Sequence, residues 1–239
     1  MDMNVEIVPA IMPEDFADIE AHAGLVRRSV KTVQLDLMDG DYVPEATWPF
    51  VGKETEVQEL ISEARSLPFW EDLDYELDLM ISKPEDDLDT WLHLGASRVI
   101  VHYASVGNWG PIREVPEGVR SFVNIGIAVT IHDDVEAVAK LVEEGIFDFI
   151  QVMGIAHVGY QGEPFEDDAI DLVRSFHERF PNMPISVDGG VSPDTIQILT
   201  DAGATRFVSG SYVFGGGVAS ENVTELFETL GITDEKSDL

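Results

Sequence analysis

Cysteine is absent from the 239 residues. That excludes disulfide scaffolds, thiolate metal sites, cysteine nucleophiles and CxxC redox chemistry, and leaves the redox compartment undetermined. Basic residues are scarce: 14 Lys and Arg stand against 46 Asp and Glu, a formal net charge of −32. A surface so negative repels nucleic-acid phosphates and anionic lipid, which argues against either as a partner. Salt would screen its self-repulsion, so such a surface suits a saline interior. No uninterrupted apolar run approaches the roughly 18–20 residues that cross a bilayer. The opening MDMNVEIVPA has neither a basic stretch nor an apolar one, unlike a secretory signal. The expected location is therefore cytoplasmic. No repeat or low-complexity segment divides the chain, so residues 1–232 read as one domain with an acidic tail, 233–239.

What is present is alternation. β-rich runs occupy 5–8, 32–36, 75–81, 98–103, 124–130, 148–153, 184–188 and 206–210. Helical patterns occupy 14–27, 54–65, 84–94, 134–144, 166–179, 193–202 and 220–230. The fourth gap, 104–121, holds Gly107, Gly110-Pro111 and Pro116-Glu117-Gly118, so its helix is short or missing. Ser192-Pro193 reads as an N-cap before a proline at the first helical position, and Gly145 and Gly203 as C-terminal caps. Eight β/α units imply parallel strands with helical crossovers, which close into a (β/α)8 TIM barrel, an α/β fold. An open doubly wound sheet is the alternative, but no GxGxxG follows the first strand.

Side chains two apart on a strand share a face. Leu35 and Leu37 then face the helices, which turns Gln34 and Asp36 inward. Likewise Leu77 and Leu79 leave Asp78 and Met80 inside, and Val99 and Val101 leave His102 inside. Asp188 faces in at the end of its strand, opposite in sense to Ile185 and Val187. These polar residues fall near strand C-termini, the end where barrels of this class keep their chemistry. A buried carboxylate is costly without a partner, so Asp36 and Asp188 read as functional. Asp39, in the MDGDY turn, reads as a turn former. His102 suits either an interior hydrogen bond or a role in the site. His157, Tyr160 and Gln161 lie in a glycine-containing loop after strand six, either a plain surface loop or a cover for the ligand.

Two glycine stretches point to an anion. VDGGV (187–191) and SGSYVFGGG (209–217) follow strands seven and eight, the recurrent phosphate-binding loops of barrels. Glycine lets backbone N–H groups approach an anion closely, and few basic side chains are available to do it instead.

The stretches PAIMPEDF (9–16), LDLMDGDYVPEATW (35–48), LDLMISKP (77–84), IVHY (100–103), GIAV (126–129), VMGIAHVGYQGEPF (152–165), VDGGVSPDT (187–195) and AGATRFVSGSYVFGG (202–216) run along nearly the whole chain. In them the sequence resembles the ribulose-phosphate 3-epimerase family. The resemblance implies a (β/α)8 barrel that interconverts ribulose 5-phosphate and xylulose 5-phosphate at C3, a step of the pentose phosphate pathway. Two aspartates, carried over as Asp36 and Asp188, would be acid and base beside a divalent metal that stabilises the enediolate. Gly189, Gly190, Gly210 and Ser211 would bind phosphate. Met38, Met80, Gly159 and Gly162 would complete the substrate contacts. A small phosphorylated sugar is the implied partner, and a homo-oligomer the implied assembly.

The family's two histidine ligands fall on Gln34 and Asp78, giving the metal set Gln34, Asp36, Asp78 and Asp188. Its first-strand serine is Ala10, and its asparagines after VP and after strand five are Glu45 and Thr130. The resemblance implies a divalent cation as cofactor, Mg²⁺, Mn²⁺ or Zn²⁺, with oxygen ligands better suited to the harder ions. Without a cation, three close carboxylates cannot all stay ionised. Two other readings stand beside the epimerase: a non-catalytic sugar-phosphate-binding barrel, and an enzyme of another phosphosugar. A decarboxylase relative would need the lysine of a DxKxxD pattern where Met38 stands.

Overall fold

Each β-rich run pairs with its neighbours in the chain, and the last pairs with the first. The computed structural model describes residues 5–51, 55–160 and 162–232. Strands β1 (Glu6–Ile11), β2 (Thr32–Met38), β3 (Asp74–Met80), β4 (Arg98–His102), β5 (Asn124–Val129), β6 (Phe149–Met153), β7 (Ile185–Asp188) and β8 (Arg206–Ser209) close into a parallel barrel. The expected (β/α)8 architecture is therefore the observed one.

Around it lie α1 (Phe16–Val26), α2 (Thr55–Ile61), α3 (Leu88–Leu92), α4 (Gly110–Arg113), α5 (Glu117–Arg120), α6 (Val135–Glu143), α7 (Asp168–Arg179), α8 (Ile196–Ala202), α9 (Ser211–Phe214) and α10 (Ala219–Thr229). Carboxylates start two of them: Asp15 accepts from the Asp18 N–H at 2.9 Å and Asp134 from the Ala137 N–H at 3.1 Å. In the glycine- and proline-broken fourth gap, α4 and α5 have only four residues each. Between 84 and 92, a 3-10 turn (Pro84–Asp87) precedes α3 and shortens it. No helix among the described residues is long and apolar enough to cross a membrane.

One start signal reads differently in three dimensions. Helix α8 begins at Ile196, not at Pro193. The Ser192 N–H donates to Thr195 Oγ1 at 3.0 Å, and that hydroxyl donates to the Gly190 carbonyl at 2.8 Å. Ser192-Pro193-Asp194 is thus a turn that ties down the preceding glycine loop. Gly203, with φ +113°, ends α8 as expected. Gln161 and the tail 233–239 lie outside the described residues.

The alternation sorts the barrel into two environments. Leu35, Leu37, Leu77, Leu79, Val99, Val101, Ile185 and Val187 are fully buried between strands and helices. The other face of each strand fills the barrel. At its N-terminal end, Glu6, Glu76, Arg98 and Arg206 form an ion-pair cluster. Arg206 donates to Glu6 Oε2 at 2.8 Å and to Glu76, while Arg98 donates to Glu6 Oε1 at 3.3 Å. The Arg206 guanidinium also lies 4.8 Å from the Phe149 ring centre. Above it, Gly126 is glycine because the Phe149 ring occupies the space a Cβ would take. Apolar Val8, Ala10, Ile100, Ala128 and Val208 also fill the barrel, while Gln34 pairs in register with Glu76 and links this cluster to the C-terminal end.

Candidate active site

The parallel register brings the polar residues of five strands together at the C-terminal end. Asp36 pairs in register with Asp78, Ala128 with Gln151 and Met153 with Asp188. Asp36, Asp78 and Asp188 offer carboxylate oxygens that all lie within 4.8 Å of one another. Gln34 Nε2 donates to Asp36 Oδ1 and Asp188 Oδ2, both at 2.8 Å. Gln151 Nε2 donates to Asp78 Oδ2 at 3.3 Å and to Asp188 Oδ2 at 3.2 Å. His102 Nε2 lies 2.8 Å from Asp78 Oδ1. A continuous chain therefore runs His102–Asp78–Gln151–Asp188–Gln34–Asp36. Both oxygens of Asp78 are engaged within it, whereas Asp36 and Asp188 each keep one oxygen free of these bonds.

Burial dominates the protonation of the pair. Removal from water, then the nearby Asp78 carboxylate, pushes the Asp36 carboxyl up to about 8, against the opposing hydrogen bond from Gln34. Burial followed by the charges of Asp36 and Asp78 holds Asp188 well above the ordinary carboxylate range. A carboxyl raised on folding contributes stability that is fully present below its unfolded pKa and is lost as pH rises through the folded one. In EDTA the melting temperature is thus expected to fall between pH 4 and about 8, followed by calorimetry. Asp36→Asn should flatten that fall; an unchanged slope would assign the loss to surface repulsion.

The two aspartates open onto a pocket of about 510 Å³, part of it open to solvent. Its wall includes Asp36, Asp188, Met80, Gly159, Tyr160, Gly162, Gly189, Gly190, Gly210 and Ser211, and, among the described residues, no Lys or Arg side chain. The glycines at its far end are sterically required. Gly189 and Gly190 take φ of +94° and +67°, and a Cβ on either would press on Ile155 or Phe165 at 2.9 and 2.8 Å. Ser209 Oγ donates to the Val191 carbonyl at 2.9 Å, binding the two loops together. The loop after β6 lies over the mouth. Val158 packs against Met38, Val43 and Met80, and also against the apolar barrel lining. His157 is held 3.1 Å from Glu163.

The structure brings most of the residues singled out in the sequence into this one place. Met38 stands apart: it is fully buried, packed with Val43 and Met80, and does not line the pocket. Asp78 and Gln34 also have no exposed surface and lie beneath the pocket floor. Asp39 organises its turn, accepting from the Asp41, Tyr42 and Ser82 N–H groups at 2.7–2.9 Å. Gln151 is the residue the sequence reading passed over. Ile150 and Val152 flank it, so the same alternation that exposed Asp36 was available to expose it.

The set of three buried carboxylates is able to hold a divalent cation, and two observations test the fit. The buried Oε1 atoms of Gln34 and Gln151 have no hydrogen-bond partner, and no Lys or Arg among the described residues lines the pocket above the cluster. Oxygen donors and unbalanced charge both suit a hard cation.

Residues 6–214 match the Ribulose-phosphate 3 epimerase family. The chain is 28% identical over 236 residues to the cytoplasmic isoform of ribulose-phosphate 3-epimerase of Oryza sativa subsp. japonica, covering 97% of each. It is 26% identical over 214 residues to ribulose-phosphate 3-epimerase of Schizosaccharomyces pombe, covering 89% of this chain and 88% of that one. Among solved structures it is similar to 3-keto-L-gulonate-6-phosphate decarboxylase from Vibrio cholerae. There the TM-score is 0.69 and the identity 14%, over 97% of this chain and 100% of that chain. For 3-hexulose-6-phosphate synthase from Salmonella typhimurium the TM-score is 0.67 and the identity 15%, over 94% and 98%. At such identities these structures speak for the barrel alone.

Proposed function

Because the chain belongs to the Ribulose-phosphate 3 epimerase family, we propose that it interconverts ribulose 5-phosphate and xylulose 5-phosphate by moving a proton at C3. One observation carries the reading: Asp36 and Asp188 line the same pocket as the glycine loops after β7 and β8. The two carboxyls stand on β2 and β7, with β1 and β8 between them, and so reach the pocket from separate strands. One takes the proton from C3 and the other returns a proton to the opposite face.

A C–H beside a ketone is a poor acid, so the charge that develops on oxygen needs stabilisation. A divalent cation held by Asp36, Asp78 and Asp188 supplies that positive charge when bound, and the oxygen donors favour Mg²⁺ or Mn²⁺ over Zn²⁺. At the other end, the backbone N–H groups of Gly189, Gly190, Gly210 and Ser211 take the phosphate, since no basic side chain among the described residues lines the pocket. Met80, Gly159 and Gly162 wall the sugar, and the Val158 loop keeps water from the centre. A cytoplasmic location belongs to the same proposal, supported by the rice relative. The test is incubation with ribulose 5-phosphate in heavy water, with Mg²⁺, Mn²⁺ or Zn²⁺ in turn. Deuterium is expected at C3; none with any metal would overturn the assignment.

A further inference from the structure

We propose that Gln151, acting with Gln34, is a metal ligand through its side-chain oxygen, so that the centre is built only of oxygen donors. The proposal rests on the reading of this pocket as a metal-assisted epimerase site. Gln151 projects from β6 into the cluster with no exposed surface, and Gln34 does the same from β2. Each amide presents its nitrogen to the carboxylates and leaves its oxygen buried and unpartnered. An amide oxygen left unpaired inside a protein costs free energy in every state that does not use it. A half turn about the last side-chain bond exchanges the two atoms, since amide nitrogen and oxygen occupy nearly the same volume.

With a cation between the carboxylates, that half turn reverses sign from cost to gain. The oxygens of Gln34 and Gln151 would then take the places now held by their nitrogens. Those places lie 2.8 Å from Asp36 Oδ1 and Asp188 Oδ2, and 3.2–3.3 Å from Asp188 Oδ2 and Asp78 Oδ2. Neighbouring ligands in an octahedron with metal–oxygen distances of about 2.1 Å are about 3.0 Å apart. The amide–carboxylate distances thus suit an exchange of these hydrogen bonds for coordination. Asp36, Asp78, Asp188, Gln34 and Gln151 supply five oxygens, which leaves room for a sixth donor on the pocket side. His102 remains outside, occupied with Asp78.

The experiment uses the full chain stripped with EDTA, with Mn²⁺ as the probe, read by calorimetry and electron paramagnetic resonance. Gln151→Leu is expected to weaken Mn²⁺ binding by about 10- to 100-fold. Gln151→Glu, which has an oxygen but no N–H, is expected to bind Mn²⁺ at least as tightly as the wild type. Should Gln151→Glu bind as poorly as Gln151→Leu, the amide serves only as an N–H donor and the proposal falls. It also falls if Gln151→Leu binds like the wild type. Because either variant can misfold, the wild-type Mn²⁺ spectrum supplies an independent measure. Pulsed measurements are expected to show no directly bound ¹⁴N, and a ¹⁴N coupling of coordinated strength, or no Mn²⁺ binding at all, would overturn the assignment. Deuterium incorporation at C3, measured separately with and without metal, tells failure of this ligand set from failure of the epimerase reading.

Discussion

Asp188→Asn, and equally Asp36→Asn, is expected to lower turnover by about 10²- to 10⁴-fold, the range for losing a positioned acid or base. Asparagine keeps the volume and the hydrogen bond from Gln34 but cannot carry a proton. Epimerisation needs both partners in every cycle, one to remove the proton and one to replace it. The double variant should therefore cost little more than either single one, as groups that act as a unit do. KM should move less than kcat, because the glycine loops proposed to take the phosphate, at Gly190 and Gly210, keep their own backbone geometry whichever side chains stand at positions 36 and 188. Steady-state kinetics in both directions, with deuterium exchange at C3, reads all of this. Activity of either variant within tenfold of the wild type would remove the acid–base assignment.

The second large effect lies at the opposite end of the barrel. Arg206→Met should destabilise the protein by about 3–5 kcal/mol, measured by urea denaturation, because it strands a buried carboxylate. Glu76 has no exposed surface, and Arg206 is its closest cationic partner. Arg98, at 3.5 Å, is a poorer one and is also shared with Glu6. Adding Glu76→Gln should return much of the lost stability, since the cost belongs to the unpaired charge rather than to missing contacts. A loss below about 1 kcal/mol for Arg206→Met would show that water or Arg98 replaces the guanidinium.

Much of the molecule was readable from residue order alone. Period-two runs separated by helical patterns imply parallel strands, and eight of them point to the barrel whose closure the structure shows. The inward positions of Asp36, Asp78 and Asp188 followed from their apolar neighbours, because a strand gives each residue only two faces. The glycine loops followed from chemistry that glycine alone permits. Local signals were weaker at element ends: Ser192-Pro193 has the form of a helix start, yet Thr195 binds the Gly190 carbonyl and the helix begins later.

Only the tertiary structure decided which inward residues meet. Gln34 and Asp188 are 154 residues apart in the chain, and 2.8 Å apart in space. Gln151 joins Asp78 to Asp188, Glu76 is neutralised by Arg206 from the far end of the chain, and Met38 is covered rather than offered to the pocket. Strand alternation specifies a direction, inward or outward, for each side chain separately. Which carboxylates share a partner, and which oxygens are left without one, depends on barrel closure and on the register between strands. The scarcity of basic residues met first in the sequence acquires its meaning there: the three inward aspartates are held by hydrogen bonds to two amides and a histidine, and no Lys or Arg among the described residues lines their pocket.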